Sequence, residues 1–183
     1  MEDVSAIEPM DVYGWTKLHG ENYLNYFHQQ QRVDGLNVRL FNVVGSGETN
    51  PHLAPAIIEQ LNDNVSSIKL GNLFPQRDYI NVRDAAEGFW RLANASSGDK
   101  SAQISNLGTG TAHEVGEMVK LIARASGREL NIEQDQDRVR AVDRPMLLAS
   151  IDRIQSLTGW RPEITLAESM SDAWNTRELD KLL

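Results

Sequence analysis

Tyr13 and Lys17, four residues apart in "VYGWTKLHGENYL", are the residues of this 183-residue chain whose types and spacing most directly suggest chemistry. On a helix, positions i and i+4 share a face, so the phenol and the ammonium come side by side. A neighbouring ammonium favours the phenolate and lowers the phenol's pKa. The pair then suits a group that gives and takes a proton near neutral pH. The spacing taken alone also fits an ordinary surface pair, so the rest of the chain has to decide.

Those side chains need elements to hold them. From Tyr13 to about Arg32, Leu18, Tyr23, Leu24 and Phe27 recur at helical spacing between charged residues. Gly35 ends that pattern, and "LNVRLFNVVG" reads as one buried strand running into a Gly-rich turn. Pro51 opens a helix in "PHLAPAIIEQL", while "IKL" and "DYINV" read as short strands. Val82 to Asn94 reads as a helix whose first turn holds Asp84, placed as a cap rather than a ligand contact. "SSGDKS" is a loop and "QISNLGTG" a strand and turn. "HEVGEMVKLIARAS" is an amphipathic helix ended by Gly127, and "LNIEQ" is a strand. A loop, "DQDRVRAVDRP", then leads to short helices around Ile151 to Thr158 and Leu166 to Asn175, with Trp160 between them as a core residue. The order is α/β, within a single domain spanning 1–183 and without a convincing linker.

Composition narrows the function classes. Hydrophobic residues make up 40% and charged residues 24%, ordinary for a globular chain. No apolar run approaches the ~18 residues that a bilayer span needs, so no membrane partner is expected. Cysteine is absent, which removes disulfides and thiolate metal sites and fits a cytoplasmic setting. No metal site is expected. A net charge of -8 argues against a nucleic-acid partner, yet a few local arginines can still hold an anionic small ligand.

One segment imitates a dinucleotide fingerprint. "ISNLGTGTAHEVGEMV" follows a strand, opens a helix and holds Gly108 and Gly110, with Glu133 and Asp135 some twenty residues on. The third position of that fingerprint needs a glycine for close helix–strand packing. Here it is His113, which argues against the assignment.

Five segments, in order along the chain, resemble the extended short-chain dehydrogenase/reductase family of sugar-nucleotide epimerases, dehydratases and reductases. "PMDVYGWTKLHGE" resembles the family's Tyr-x-x-x-Lys segment, with Pro9, Tyr13, Gly14, Thr16, Lys17 and Glu21 in place. "VRLFNVVGSGE", "LGNLFPQRDYINVRDAAEGFW", "SNLGTG" and "RVRAVDRPMLLASIDRIQSLTGWRPEITL" are similar to later family segments, the last ending in Gly-Trp-x-Pro. Among subfamilies the chain looks most like the GDP-mannose 4,6-dehydratases and GDP-4-keto-6-deoxymannose reductases. The resemblance implies that Tyr13 exchanges a proton with the sugar, and that Lys17 lowers its pKa and bonds the nicotinamide ribose. It implies further that Asn42 touches the sugar or diphosphate, that Arg77 and Arg140 grip the diphosphate, and that Asp143 accepts from the nucleotide ribose. By its residue type alone, Asn42 also fits a plain turn position.

The resemblance also implies what is not encoded. The family's Gly-x-x-Gly-x-x-Gly segment and its catalytic Ser/Thr lie upstream of the tyrosine. This chain has twelve residues there, and Ser5 is too close to Tyr13 to serve. The expected fold is therefore a truncated Rossmann-like α/β unit lacking the N-terminal dinucleotide-binding βαβ units. Residues 1–47 would be a remnant of the Rossmann half, and 48–183 mostly the substrate-binding region. NAD(P) serves the parent family, but none is expected on this chain alone. A nucleotide-sugar ligand is expected, with a GDP-sugar favoured. Exposed edges should be hidden by homodimerisation or by another chain. Three functions follow: a remnant that keeps part of the nucleotide-sugar pocket but is inactive alone, one half of a split enzyme, or a structural or interaction protein without ligand.

Overall fold

Alternation within "RDYIN" organises the molecule. Successive residues of a strand face opposite sides, and Tyr79 joins one apolar cluster while Ile80 joins another. The structure is a computed structural model describing residues 7–33, 35–48, 50–62, 67–95, 104–139 and 144–177.

The chain runs through α1 (Val12–Gln29), β1 (Asn37–Leu40), β2 (Asn42–Val44), α2 (Leu53–Asn62), β3 (Ser67–Leu70) and β4 (Gln76–Asn81). It continues through α3 (Val82–Asn94), β5 (Ile104–Leu107), β6 (Ala112–Glu114), α4 (Val115–Ser126) and β7 (Asn131–Gln134). After a 3-10 turn, Gln136–Arg138, come β8 (Met146–Leu147), α5 (Asp152–Thr158) and α6 (Leu166–Thr176). β4 is the hub. It pairs in parallel with β2 and β8, and antiparallel with β6. β1 pairs in parallel with β5, and β3 in parallel with β7.

The segment read as one strand, "LNVRLFNVVG", is divided. β1 registers against β5 and β2 against β4, with Phe41 between them donating its N–H to Leu107 O at 2.9 Å. The chain thus changes strand partner at Phe41, which a single apolar run does not reveal. α2 begins at Leu53 rather than at Pro51.

The larger cluster lies between α2, α4 and α6 and includes Ile57, Leu61, Met118, Ile122 and Met170, each fully buried. The second gathers Ile80, Leu92, Leu107, Ile154 and Trp160 beneath α3 and α5. Gly88 of α3 permits this approach, because a Cβ there would sit 2.5 Å from Leu107 Cδ1. Trp160 is 4% exposed and packs here, as read from the sequence.

Asp84 is buried as well, but it does not cap α3. Asn81 does so, its side chain accepting from Arg83 N. Asp84 Oδ2 instead accepts from Glu163 N and Ile164 N at 3.1 and 2.9 Å, tying the segment before α6 to α3.

α1 differs from the other long helices. Among its eighteen residues none is buried, and Val12, Trp15, Tyr23, Tyr26 and Phe27 all stand exposed. Polar ties hold it instead. Glu21 accepts two charge-assisted hydrogen bonds from Arg39 of β1, both 2.7 Å, and Asn25 accepts from Asn37 at 3.1 Å. Bidentate carboxylate–guanidinium pairs are directional as well as strong. We expect Glu21→Gln to loosen α1 selectively, by about 1–3 kcal/mol. Amide exchange across Val12–Gln29 should quicken at least about fivefold while α4 and α6 stay protected. Uniform loss of protection, or none, would refute this role for Glu21.

Candidate functional site

A cleft of about 940 Å³ opens where the first turn of α1, the start of β2 and the loop before β4 converge. Tyr13, Asn42 and Arg77 all line it, so three side chains far apart in the sequence are brought to one place.

Tyr13 is set by the start of α1. Asp11 caps the helix, its Oδ1 accepting from Gly14 N at 2.7 Å, and Thr16 Oγ1 donates to Tyr13 O at 2.7 Å. A Cβ on Gly14 would lie 3.1 Å from Pro9 Cβ, so glycine lets the entering chain fold back onto this turn. Lys17 shares the face of Tyr13, with its Nζ 5.1 Å from the ring centroid. That is a cation–π distance. Both side chains are exposed, and Lys17 is not among the residues lining the cleft.

Asn42 opens β2 and stands opposite Tyr79 in the register. The chain then turns through Gly45 and Gly47, with φ of 139° and 81°, a backbone that side chains other than glycine's disfavour. This turn forms a wall of the cleft and delivers Glu48 and His52 to it. His52 Nδ1 lies 2.8 Å from Glu48 Oε1. Burial pushes the Glu48 carboxyl above its usual range, and contact with His52 offsets part of that rise.

Arg77 is half-buried, and its Nη1 donates to Gln76 O and Arg144 O, both at 2.8 Å. It therefore braces the segment entering β8 as well as facing the cleft. Arg144 in turn donates to Glu8 O at 2.6 Å, linking that segment to the approach to α1.

Arg140 and Asp143 lie outside the described residues. Arg138, which the sequence reading did not single out, lines the cleft. Its Nη1 donates to Lys69 O at 3.2 Å and its Nε lies 3.3 Å from Asp135 Oδ2. Gly71 makes the fit possible, since a Cβ there would collide with the carbonyl of Arg138. The signal for this contact was the glycine of "LGN", because that loop must pass against another backbone.

Asp78 was also missed. Its side chain is 1% exposed, and its two oxygens accept from Thr109 N (2.8 Å), Thr109 Oγ1 (2.7 Å), Gly110 N (2.9 Å) and Ala149 N (3.3 Å). The Gly108–Gly110 turn, which imitates a dinucleotide fingerprint, thus already directs two backbone amides at an internal carboxylate. A Cβ on Gly108 would meet Ala149 Cβ at 2.7 Å and Asp78 Oδ2 at 2.9 Å. The turn is built for Asp78 and does not fit a cofactor phosphate. Among the described residues there is no group of three or more His, Cys, Asp or Glu placed to hold a metal ion. None of the helices there is long and apolar enough to cross a membrane.

An α/β unit with tyrosine, asparagine and arginine converging on one cleft defines the class, and comparison with known proteins identifies the family. Residues 1–108 match the model of the NAD dependent epimerase/dehydratase family, and the chain belongs to it. It is 26% identical over 167 residues to the GDP-6-deoxy-D-mannose reductase of Pseudomonas aeruginosa, covering 88% of this chain and 54% of that one. It is 30% identical over 178 residues to a putative UDP-glucose 4-epimerase of Methanocaldococcus jannaschii, covering 96% and 56% respectively. The structure of RMD from Pseudomonas aeruginosa complexed with NADPH superposes with a TM-score of 0.87 at 22% identity, over all of this chain and 60% of that one. The chain thus spans about half the length of the curated relatives it matches.

Proposed function

We propose that this polypeptide supplies the nucleotide-sugar-binding half of a family enzyme and does not catalyse hydride transfer alone. The observation that carries the reading is the convergence of Tyr13, Asn42 and Arg77, with Arg138, on one cleft. Arginine forks suit a diphosphate, and Asn42 and Tyr13 supply hydrogen-bonding groups for sugar hydroxyls or a keto oxygen. Residues 1–47 carry the proton-transfer helix and 48–183 most of the ligand-binding walls. The resemblance to a GDP-6-deoxy-D-mannose reductase supports a GDP-sugar, specifically a 6-deoxyhexose in its keto or hydroxyl form. A cytoplasmic setting accords with such a ligand and with a chain that lacks cysteine.

A second reading, that the chain pairs with a separate dinucleotide-binding polypeptide, rests on its surface. Among the described strands β1 is paired with β5 alone, and it lies beside the unburied helix α1. Open parallel edges and contiguous apolar faces invite a partner. A second copy of the chain could cover the same face.

Titration calorimetry with GDP and a GDP-6-deoxyhexose tests the cleft. Binding should occur below millimolar ligand, and Arg77→Ala should weaken it about ten- to hundredfold, the loss of one charge-assisted contact. No heat at millimolar ligand would leave the third reading, a fold reused without ligand.

A further inference from the structure

The loop joining β3 to β4, "GNLFP", borders the cleft through Gly71, Asn72 and Pro75 and carries Phe74 among them. Phe74 is 73% exposed. One exposed apolar side chain is ordinary in itself, so its position decides. The backbone on either side of it is held. Leu73 O accepts from Gly116 N and Pro75 O from Val115 N, both at 3.3 Å, and the Leu73 side chain packs against the larger cluster. Phe74 N lies 3.4 Å from Asn72 Oδ1, and the proline that follows disfavours helical backbone at Phe74. The ring is thus offered to solvent from a fixed loop, at little ordering cost on binding. Tyr79 also lines the cleft, but it is 6% exposed and belongs to the larger cluster. Tyr13 already has Lys17 over its ring. The Phe74 loop runs between the two arginines of the cleft: Gly71 packs against the carbonyl of Arg138, and Arg77 follows Phe74 by three residues.

We propose that Phe74 stacks on the base of the nucleoside diphosphate bound in this cleft and makes the site prefer a purine to a pyrimidine. The inference rests on the reading that the cleft takes a nucleotide sugar. Such a ligand runs in order from sugar through diphosphate and ribose to base. With the sugar at Tyr13 and Asn42 and the diphosphate at Arg77 and Arg138, the base lies beyond the arginines. The loop that reaches both arginines carries the Phe74 ring to that end. Every base has a π-face, so a phenyl ring holds one without reading its hydrogen-bonding edge, and differences between bases follow stacking strength. The two fused rings of a purine cover more of the phenyl face than the single ring of a pyrimidine. Phe74 therefore adds affinity for the nucleoside and selects for its size, while the arginines respond to the diphosphate alone.

The experiment titrates the full chain with GDP and with UDP by calorimetry, beside Phe74→Ala, Phe74→Leu and Phe74→Trp. The parent should bind GDP at least about fivefold more tightly than UDP. Phe74→Ala should weaken GDP about five- to hundredfold, the range of one base–aromatic stack, and UDP clearly less, so that the preference collapses. Phe74→Leu should stay close to alanine, because it returns apolar area without a π-face. Phe74→Trp should restore GDP binding, and its added indole emission should be quenched as GDP binds. All three variants should keep the parent's circular dichroism spectrum, since the ring is exposed. Equal losses for GDP and UDP, rescue by leucine, or unchanged affinity in Phe74→Ala overturns this inference alone. So does a parent that binds the two nucleotides equally. A parent that binds neither at millimolar concentration overturns the cleft reading and this inference together.

Discussion

Replacing Asp78 by alanine is expected to cost about 3–5 kcal/mol of stability, the range for breaking a buried charged network. The carboxylate is 1% exposed and accepts four hydrogen bonds, three of them from the backbone of residues 109, 110 and 149. Alanine removes every acceptor at once. Thr109 N, Gly110 N and Ala149 N then lose their acceptor; Ala149 is buried, and an unpaired buried donor costs about 1–3 kcal/mol. The donors cannot turn elsewhere, because Gly108 is packed against Ala149 and Asp78 itself. Asp78→Asn keeps the shape and one carbonyl oxygen but turns an amide toward donors, so it should lose about half as much. Urea unfolding followed by tryptophan fluorescence measures both. Against a total stability of roughly 5–15 kcal/mol, the alanine variant should lose a large share of what holds the fold and unfold at clearly lower urea. A loss under 1 kcal/mol would mean that the turn is held by packing alone.

Asp78 also shows where the sequence is legible and where it is not. Elements whose signal is local can be read directly: α3 spans the helix read from its pattern, and α4 ends at Gly127 in the left-handed conformation that glycine favours. What escapes is anything whose cause lies far along the chain. Asp84 looks like a cap because an acidic residue in the first turn serves the helix dipole equally well, whichever backbone it finally bonds. Its partners are about eighty residues away. β6 and β8 have three and two residues, exist by pairing with β4, and carry no period long enough to detect. The site was legible to the extent that motifs marked it. Tyr13, Asn42 and Arg77 do share a cleft, whereas Arg138 is there through a backbone contact with Gly71 that no spacing announces. Glu21 is intermediate. It was visible as a motif residue, but its task of tying α1 to Arg39 emerges only from the geometry.

Supplying the remaining portion of a family enzyme should turn the cleft into a reductase whose rate depends on Tyr13. α1 places the phenol on the cleft but buries none of its own residues, and among the described strands β1 beside it pairs with β5 alone. Glu21 and Asn25 tie this helix to β1 on one side, and its apolar residues Val12, Trp15, Tyr23, Tyr26 and Phe27 stand exposed among the described residues. Covering that surface would draw Tyr13 and Lys17 out of water, where an ammonium acts on a phenol far more strongly than it does at an exposed site. The experiment joins the part of the Pseudomonas aeruginosa reductase that this chain does not match to residues 1–183. It then follows the loss of NADPH absorbance with GDP-4-keto-6-deoxymannose. The chain alone should show no turnover, and the joined protein should. In the joined protein, Tyr13→Phe should lower kcat about 10²–10⁴-fold, the usual contribution of a positioned acid, with KM nearly unchanged. Lys17→Met should cost less and move the pH dependence of kcat upward, since the phenol then lacks its neighbouring charge. If the joined protein folds, binds both ligands and turns over equally well with phenylalanine at 13, then the tyrosine that marks the family is not the proton donor here.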